Sequence, residues 1–168
     1  MRNFHGYLPS LPRGIRLFLS AFVIILSIGF YTGLLFVSQT ESMSPDGVVE
    51  NYLGNEDKPE AEIMKFKKSE REMLNIVHTH VLSISFIFFM LGILVWGTTL
   101  SEPLKRFLTI EPFVSILLTF GGIYLMWKGI LWMKYVVLIS GTVMTATFIV
   151  ASLIVLYQLL VPVNAHNS

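Results

Sequence analysis

The chain has 168 residues, 54% hydrophobic and 14% charged, with a net charge of +1, no cysteine and a mean hydropathy of +0.67. A soluble domain carries about 25% charged residues, so the composition is that of a membrane protein. The near-zero net charge speaks against a nucleic-acid partner, and the missing cysteine excludes disulfides, thiolate metal sites and cysteine nucleophiles.

Residues 1–14 are irregular and basic: Pro9, Pro12 and Gly14 interrupt any helix, and Arg2, Arg13 and Arg16 precede a long apolar run. Leu17 to Thr40 is uncharged, and about 20 such residues span the hydrocarbon core. A first transmembrane helix is expected over about 16–38. A cleaved signal peptide would have a shorter apolar core and a small-residue cleavage site, and the exit FVSQTESMS has no A-x-A. Gly29 and Gly33 form a GxxxG, which serves either ordinary packing inside the bundle or a homodimer seam.

A polar outer loop comes next, over about 39–73. SPDG (Ser44 to Gly47) reads as a turn. The middle is acidic, with Glu50, Glu56, Asp57, Glu60 and Glu62, and the end is basic, with Lys65, Lys67, Lys68 and Arg71. A solvated linker is the first reading, and a segment that binds a partner or a cation the second. The acidic residues lack calcium-loop spacing. Residues 60–75 are expected to form a polar helix leading into the second span, with Lys68 and Glu72 one turn apart.

The second span is expected over about 74–100 and carries His78 and His80 near its start. Ser101 to Pro112 reads as a short loop, with Pro103 and Pro112 at boundaries and Glu102 and Glu111 facing solvent. The third span is expected over about 112–132, with Gly121 and Gly122 as a close-packing point. Trp127, Lys128, Trp132, Lys134 and Tyr135 read as an interfacial turn. The fourth span is expected over about 135–160. The fold class is therefore all-α, a four-helix transmembrane bundle in one domain spanning 1–168.

Both termini are expected inside. The total of basic residues favours the reverse, but the first helix usually dominates orientation and its N-terminal flank is basic.

His78 and His80 are the candidate cofactor-binding residues. At 100° per residue they stand about 200° apart, so one regular helix cannot bring both to one metal. A bis-histidine haem needs a ligand from a second chain, because the other spans contain no histidine. A single-histidine haem, or copper completed by Met73 or Met90, stays open. So does a structural role beside Thr79, Ser83 and Ser85, or a proton relay. No carboxylate pair, phosphate-binding loop, dinucleotide fingerprint or zinc-protease motif is present. A coupled transporter would show intramembrane charges or broken helices.

GFYTGLLFV (29–37), SPDGVVENYLGNE (44–56), KFKKSEREML (65–74) and IVHTHVLSISFIFFMLGIL (76–94) together resemble small four-span bacterial inner-membrane proteins of unknown function. HTHVLSISFIFF is similar to the H-x-H-L-x-x-x-x-x-F-F stretch of other such families. The resemblance implies the bacterial cytoplasmic membrane and supplies no catalytic residues. The leading functional expectation is a non-enzymatic accessory or assembly protein. The alternatives are a haem or copper redox module using His78 or His80, and a scaffold that binds a protein partner through its outer loop.

Overall fold

The computed structural model describes residues 6–39, 44–56, 58, 60–61 and 63–161. Arg2 of the basic start and Asp57 and Glu62 of the acidic stretch lie outside the described residues. The described residues form five α-helices and one 3-10 turn (Leu8–Ser10), with no strand among them. The helices are α1 (Arg13–Gln39), α2 (Pro45–Leu53), α3 (Glu70–Trp96), α4 (Glu102–Trp127) and α5 (Met133–Leu160). All but α2 are long and apolar enough to cross a membrane. The protein is an all-α transmembrane bundle.

Lipid is as apolar as leucine, so these helices gain little by hiding apolar surface from it and associate through close packing and hydrogen bonds. The tightest pair is α4 with α5. Gly122 lets the backbones approach: a Cβ there would stand 2.9 Å from Val137 Cγ2. One turn earlier on α4, Thr119 and Ser140 share a hydrogen bond of 2.7 Å. On the other flank of α4, Gly92 of α3 leaves room for Thr109. α1 packs mainly on α5, where Phe30 stacks on Phe148 with ring centroids 3.9 Å apart and meets Phe88 of α3 edge-on.

The two ends of the bundle differ. At the base, Gly6 N–H donates to the Thr98 carbonyl and Leu8 N–H to the Gly97 carbonyl. Arg16 Nε donates to the Leu159 carbonyl at 2.7 Å, and Lys105 Nζ to the Trp96 carbonyl at 3.0 Å. The start of α1, the α3–α4 turn and the end of α5 therefore lie together. α2 and the described residues of 54–69 form a cap at the opposite end, over the α4–α5 turn.

Three local expectations are corrected. The polar segment holds a helix: Ser44, Pro45 and Asp46 are an N-cap, a first-position proline and a first-turn acid, and Ser44 Oγ accepts from Gly47 N–H at 3.0 Å. Residues 63–69 are not helical. α3 begins at a Ser69–Glu72 capping box, so Glu72 caps the helix instead of answering Lys68. Finally, α4 starts at Glu102 and runs through Pro112, which places Glu111 inside a spanning helix.

The glycines differ sharply in their surroundings. Among the described residues, nothing beyond the adjoining backbone of the same helix lies within 4 Å of where a Cβ would stand at Gly29, Gly33 or Gly121. Gly29 and Gly33 therefore face away from the bundle and make no packing contact within it. Gly122→Leu is expected to disrupt the α4–α5 pair and lower the melting temperature in mild detergent. Gly121→Leu is expected to leave it unchanged or higher, because glycine within a helix costs about 1 kcal/mol against better helix formers.

Candidate functional site

His78 and His80 are both exposed on α3. α3 begins at Glu70, so they lie about 12 and 15 Å along the helix, at 1.5 Å per residue. They are thus two to three turns into the helix. His80 Nδ1 is 2.8 Å from the Ile76 carbonyl, and its ring centroid lies 5.1 Å from that of Phe120 on α4. Ser83 Oγ donates to the Thr79 carbonyl at 2.7 Å. Met73 is fully buried while His78 is exposed. Among the described residues, no group of three or more His, Asp or Glu could hold a metal ion. Between α3 and α4 there is an open groove lined mainly by apolar residues, among them Phe88, Phe89, Ile93 and Trp96, with Thr109 as its polar member. It suits an acyl chain better than a polar substrate.

The cap is a folded unit built around Asn55, which is 3% exposed. Its Nδ2 donates to the Ile63 carbonyl at 3.0 Å, and its Oδ1 accepts from Lys65 N–H at 2.7 Å. The backbone adds Asn55 N–H to the Lys65 carbonyl and Lys68 N–H to the Tyr52 carbonyl. Gly54 has φ +84°, and a Cβ there would lie 2.8 Å from the Lys65 carbonyl oxygen and the Lys67 nitrogen. A side chain at Gly54 would therefore meet both left-handed strain and backbone.

Contacts from the α4–α5 turn and its flanks pin the cap to the bundle. Trp127, 8% exposed, donates from Nε1 to the Lys68 carbonyl at 2.8 Å. Lys67 lies over its ring at 5.4 Å. Lys134 pairs with Asp46 at 2.8 Å and Lys128 with Glu70 at 3.2 Å. The Lys134 ammonium holds the Asp46 carboxyl below the usual carboxylate range, and the Glu70 carboxylate raises Lys128 above the usual lysine range. Trp127, expected at the headgroup level, instead supports the cap, while Trp132 at 62% exposure suits the aromatic belt. Lys134 answers an acid of the cap, and Lys128 one at the start of α3.

A second polar arrangement lies in the membrane. Glu111, Ser115 and Thr119 sit one turn apart on α4. Ser115 Oγ donates to Glu111 Oε1. Glu111 Oε2 is buried with no hydrogen-bond partner among the described residues. Thr119 meets Ser140, which also donates to the Val136 carbonyl at 2.7 Å, and Thr147 of α5 is buried too. The i, i+4, i+8 spacing is present in the sequence, but a Pro112 that reads as a helix boundary hides it.

Asn55→Ala removes one donor and one acceptor from a buried latch, at a cost of about 1–3 kcal/mol to the local fold. Amides of residues 63–68 are expected to exchange at least about fivefold faster in the variant, with the spanning helices unchanged. Hydrogen exchange followed by mass spectrometry checks this.

A family model described as a transmembrane helical domain, Aq_1264_TM, matches residues 42–166. The match covers α2 to α5 and leaves α1 outside. No curated protein and no solved structure matches the chain. With three quarters of its length matched, including the cap and the three helices that pack most closely, the chain belongs to the Aq_1264_TM family of transmembrane helical domains.

Proposed function

We propose that this protein is a non-enzymatic accessory or assembly protein of the bacterial cytoplasmic membrane that meets a protein partner through its cap. The supporting observation is that the cap is folded and still displays apolar side chains. Ile63 is 66% exposed, Met64 46% and Phe66 68%. They alternate with or adjoin Lys65 and Lys67, and Lys68 and Arg71 follow within five residues. A solvated linker needs neither the Asn55 latch nor the Trp127 support, whereas a recognition surface needs a rigid base. Apolar anchors ringed by charge are the composition of a docking patch. With the basic flank of α1 inside, both termini are cytoplasmic and the cap faces outward.

Because the chain has no cysteine, Phe66→Cys provides a unique handle. A membrane-impermeant maleimide is expected to label it in intact cells. A photo-crosslinker attached there is expected to give discrete protein adducts, and one at the lipid-facing Leu117→Cys only lipid adducts. Labelling only after permeabilisation would reverse the orientation, and lipid adducts alone at position 66 would sink the partner reading.

The haem or copper reading draws on the exposure of His80. Its ring is on the bundle surface, where a second chain can complete a ligand set. A Soret band or stoichiometric copper in protein purified from its native membrane, lost in His80→Ala, is the result that reading requires. Colourless, metal-free protein would end it.

A further inference from the structure

We propose that Glu111 is a proton-binding carboxyl held inside the bilayer by the α4–α5 seam. Glu111 stands nine residues after the start of α4, about 14 Å along the axis at 1.5 Å per residue. The exposed Glu102–Arg106 pair belongs at the headgroups, so Glu111, five residues beyond Arg106 on α4, lies about 7 Å inside a hydrocarbon core about 30 Å thick. A bare carboxylate at that depth, without a counter-charge, is costly.

Among the described residues, the surroundings supply no counter-charge. On α4, Lys105 lies about one and a half turns towards the base and its ammonium is on the Trp96 carbonyl. Arg106 is turned to Glu102 at 3.5 Å. The Thr119–Ser140 and Gly122–Val137 contacts set an antiparallel register. Carried down both helices, it puts Glu111 level with Phe148. The titratable residues of α5 are Lys134 and Tyr135 at the cap end and Tyr157 at the base. α3 has none between Val81 and Trp96, and His80 lies against Phe120, nine residues beyond Glu111. α1 offers only Tyr31 beyond Arg16, and it is exposed.

The hydrogen-bonding groups match a neutral acid. Ser115 already donates to Oε1, and Oε2 is buried and unpartnered among the described residues. Pro112 has no N–H to give the Leu108 carbonyl, so a spare acceptor lies one turn from the carboxyl. A proton on Oε2 turns the buried, unpartnered oxygen into a neutral hydroxyl that needs no counter-charge. The seam then continues through Ser115, Thr119 and Ser140 towards the cap as a line of hydroxyls.

Two measurements on the full chain in native-lipid membranes test this. Dicyclohexylcarbodiimide dissolves in the bilayer and reacts with protonated carboxyls. The acid proton goes to one carbodiimide nitrogen, the carboxyl oxygen bonds to the central carbon, and acyl migration gives a stable N-acylurea with no leaving group. One carbodiimide per chain is expected on the peptide containing Glu111 at neutral pH. It should be lost in Glu111→Gln and slowed as the pH is raised. Infrared spectroscopy should show a deuterium-sensitive carbonyl band of a protonated acid in the wild type and not in Glu111→Gln. Glu111→Gln, a neutral isostere, should keep the wild-type melting temperature. If it fails to fold, the wild-type band and its loss on alkalinisation still decide. A wild-type spectrum without that band at neutral pH overturns the proposal. So does protection from the carbodiimide by sodium at constant pH, which would make Glu111 a cation site.

Discussion

The close approach of α4 and α5 is the contact on which the remainder of the molecule depends. It forms because α4 has a glycine where Val137 must enter, and because Thr119 and Ser140 satisfy each other where no water can. In a bilayer such contacts do the work that hydrophobic burial does in water. α3 then adds to one flank of α4, and α1 to α5. The α4–α5 turn, fixed by that pair, carries Trp127, Lys128 and Lys134, on which the cap rests. A tight pair in the membrane thus fixes the position of a polar surface outside it.

The two ends of the bundle use charge differently. At the base, cations answer helix C-termini: Lys105 closes α3 and Arg16 reaches the last turn of α5. This joins the favourable interaction between a cation and a helix dipole to a hydrogen bond for an otherwise orphaned carbonyl. Lys105 is 1% exposed, so its ammonium meets backbone where water is scarce. At the cap end, lysines answer carboxylates on a separate element. Those exposed pairs orient the cap more than they stabilise it, and the buried Asn55 and Trp127 contacts hold it.

The four spans are legible in the sequence because each is a long apolar run, and run length is the strongest signal a membrane protein offers. Two of the local errors share one cause. Pro45 and Pro112 both read as breaks, yet one begins a helix and the other sits within one. Proline at the first helical turn loses nothing, and in a bundle neighbouring groups compensate for its missing N–H. Hence the helix in the cap goes unseen and Glu111 falls in an expected loop. Trp127 misleads because a tryptophan at a span end is usually at the headgroups. Its real role depends on where residues 63–69 return, which no local pattern reveals. The exposure of His78 and His80 is equally illegible, since it depends on how little of α3 its neighbours cover at that level.

The loose attachment of α1 bears on how the molecule is made. Its main neighbour is the last helix of the bundle, and the Arg16–Leu159 hydrogen bond joins residues 143 apart. Chains fold as they emerge, N-terminal part first. α1 therefore enters the bilayer before α5, its main neighbour, has been made, and waits for it with little cover. A helix that must wait in lipid has to tolerate lipid on every side. α1 meets that demand: it is the least covered of the four spans, uncharged from Leu17 to Gln39, with Phe30 as an aromatic wedge held ready for Phe148.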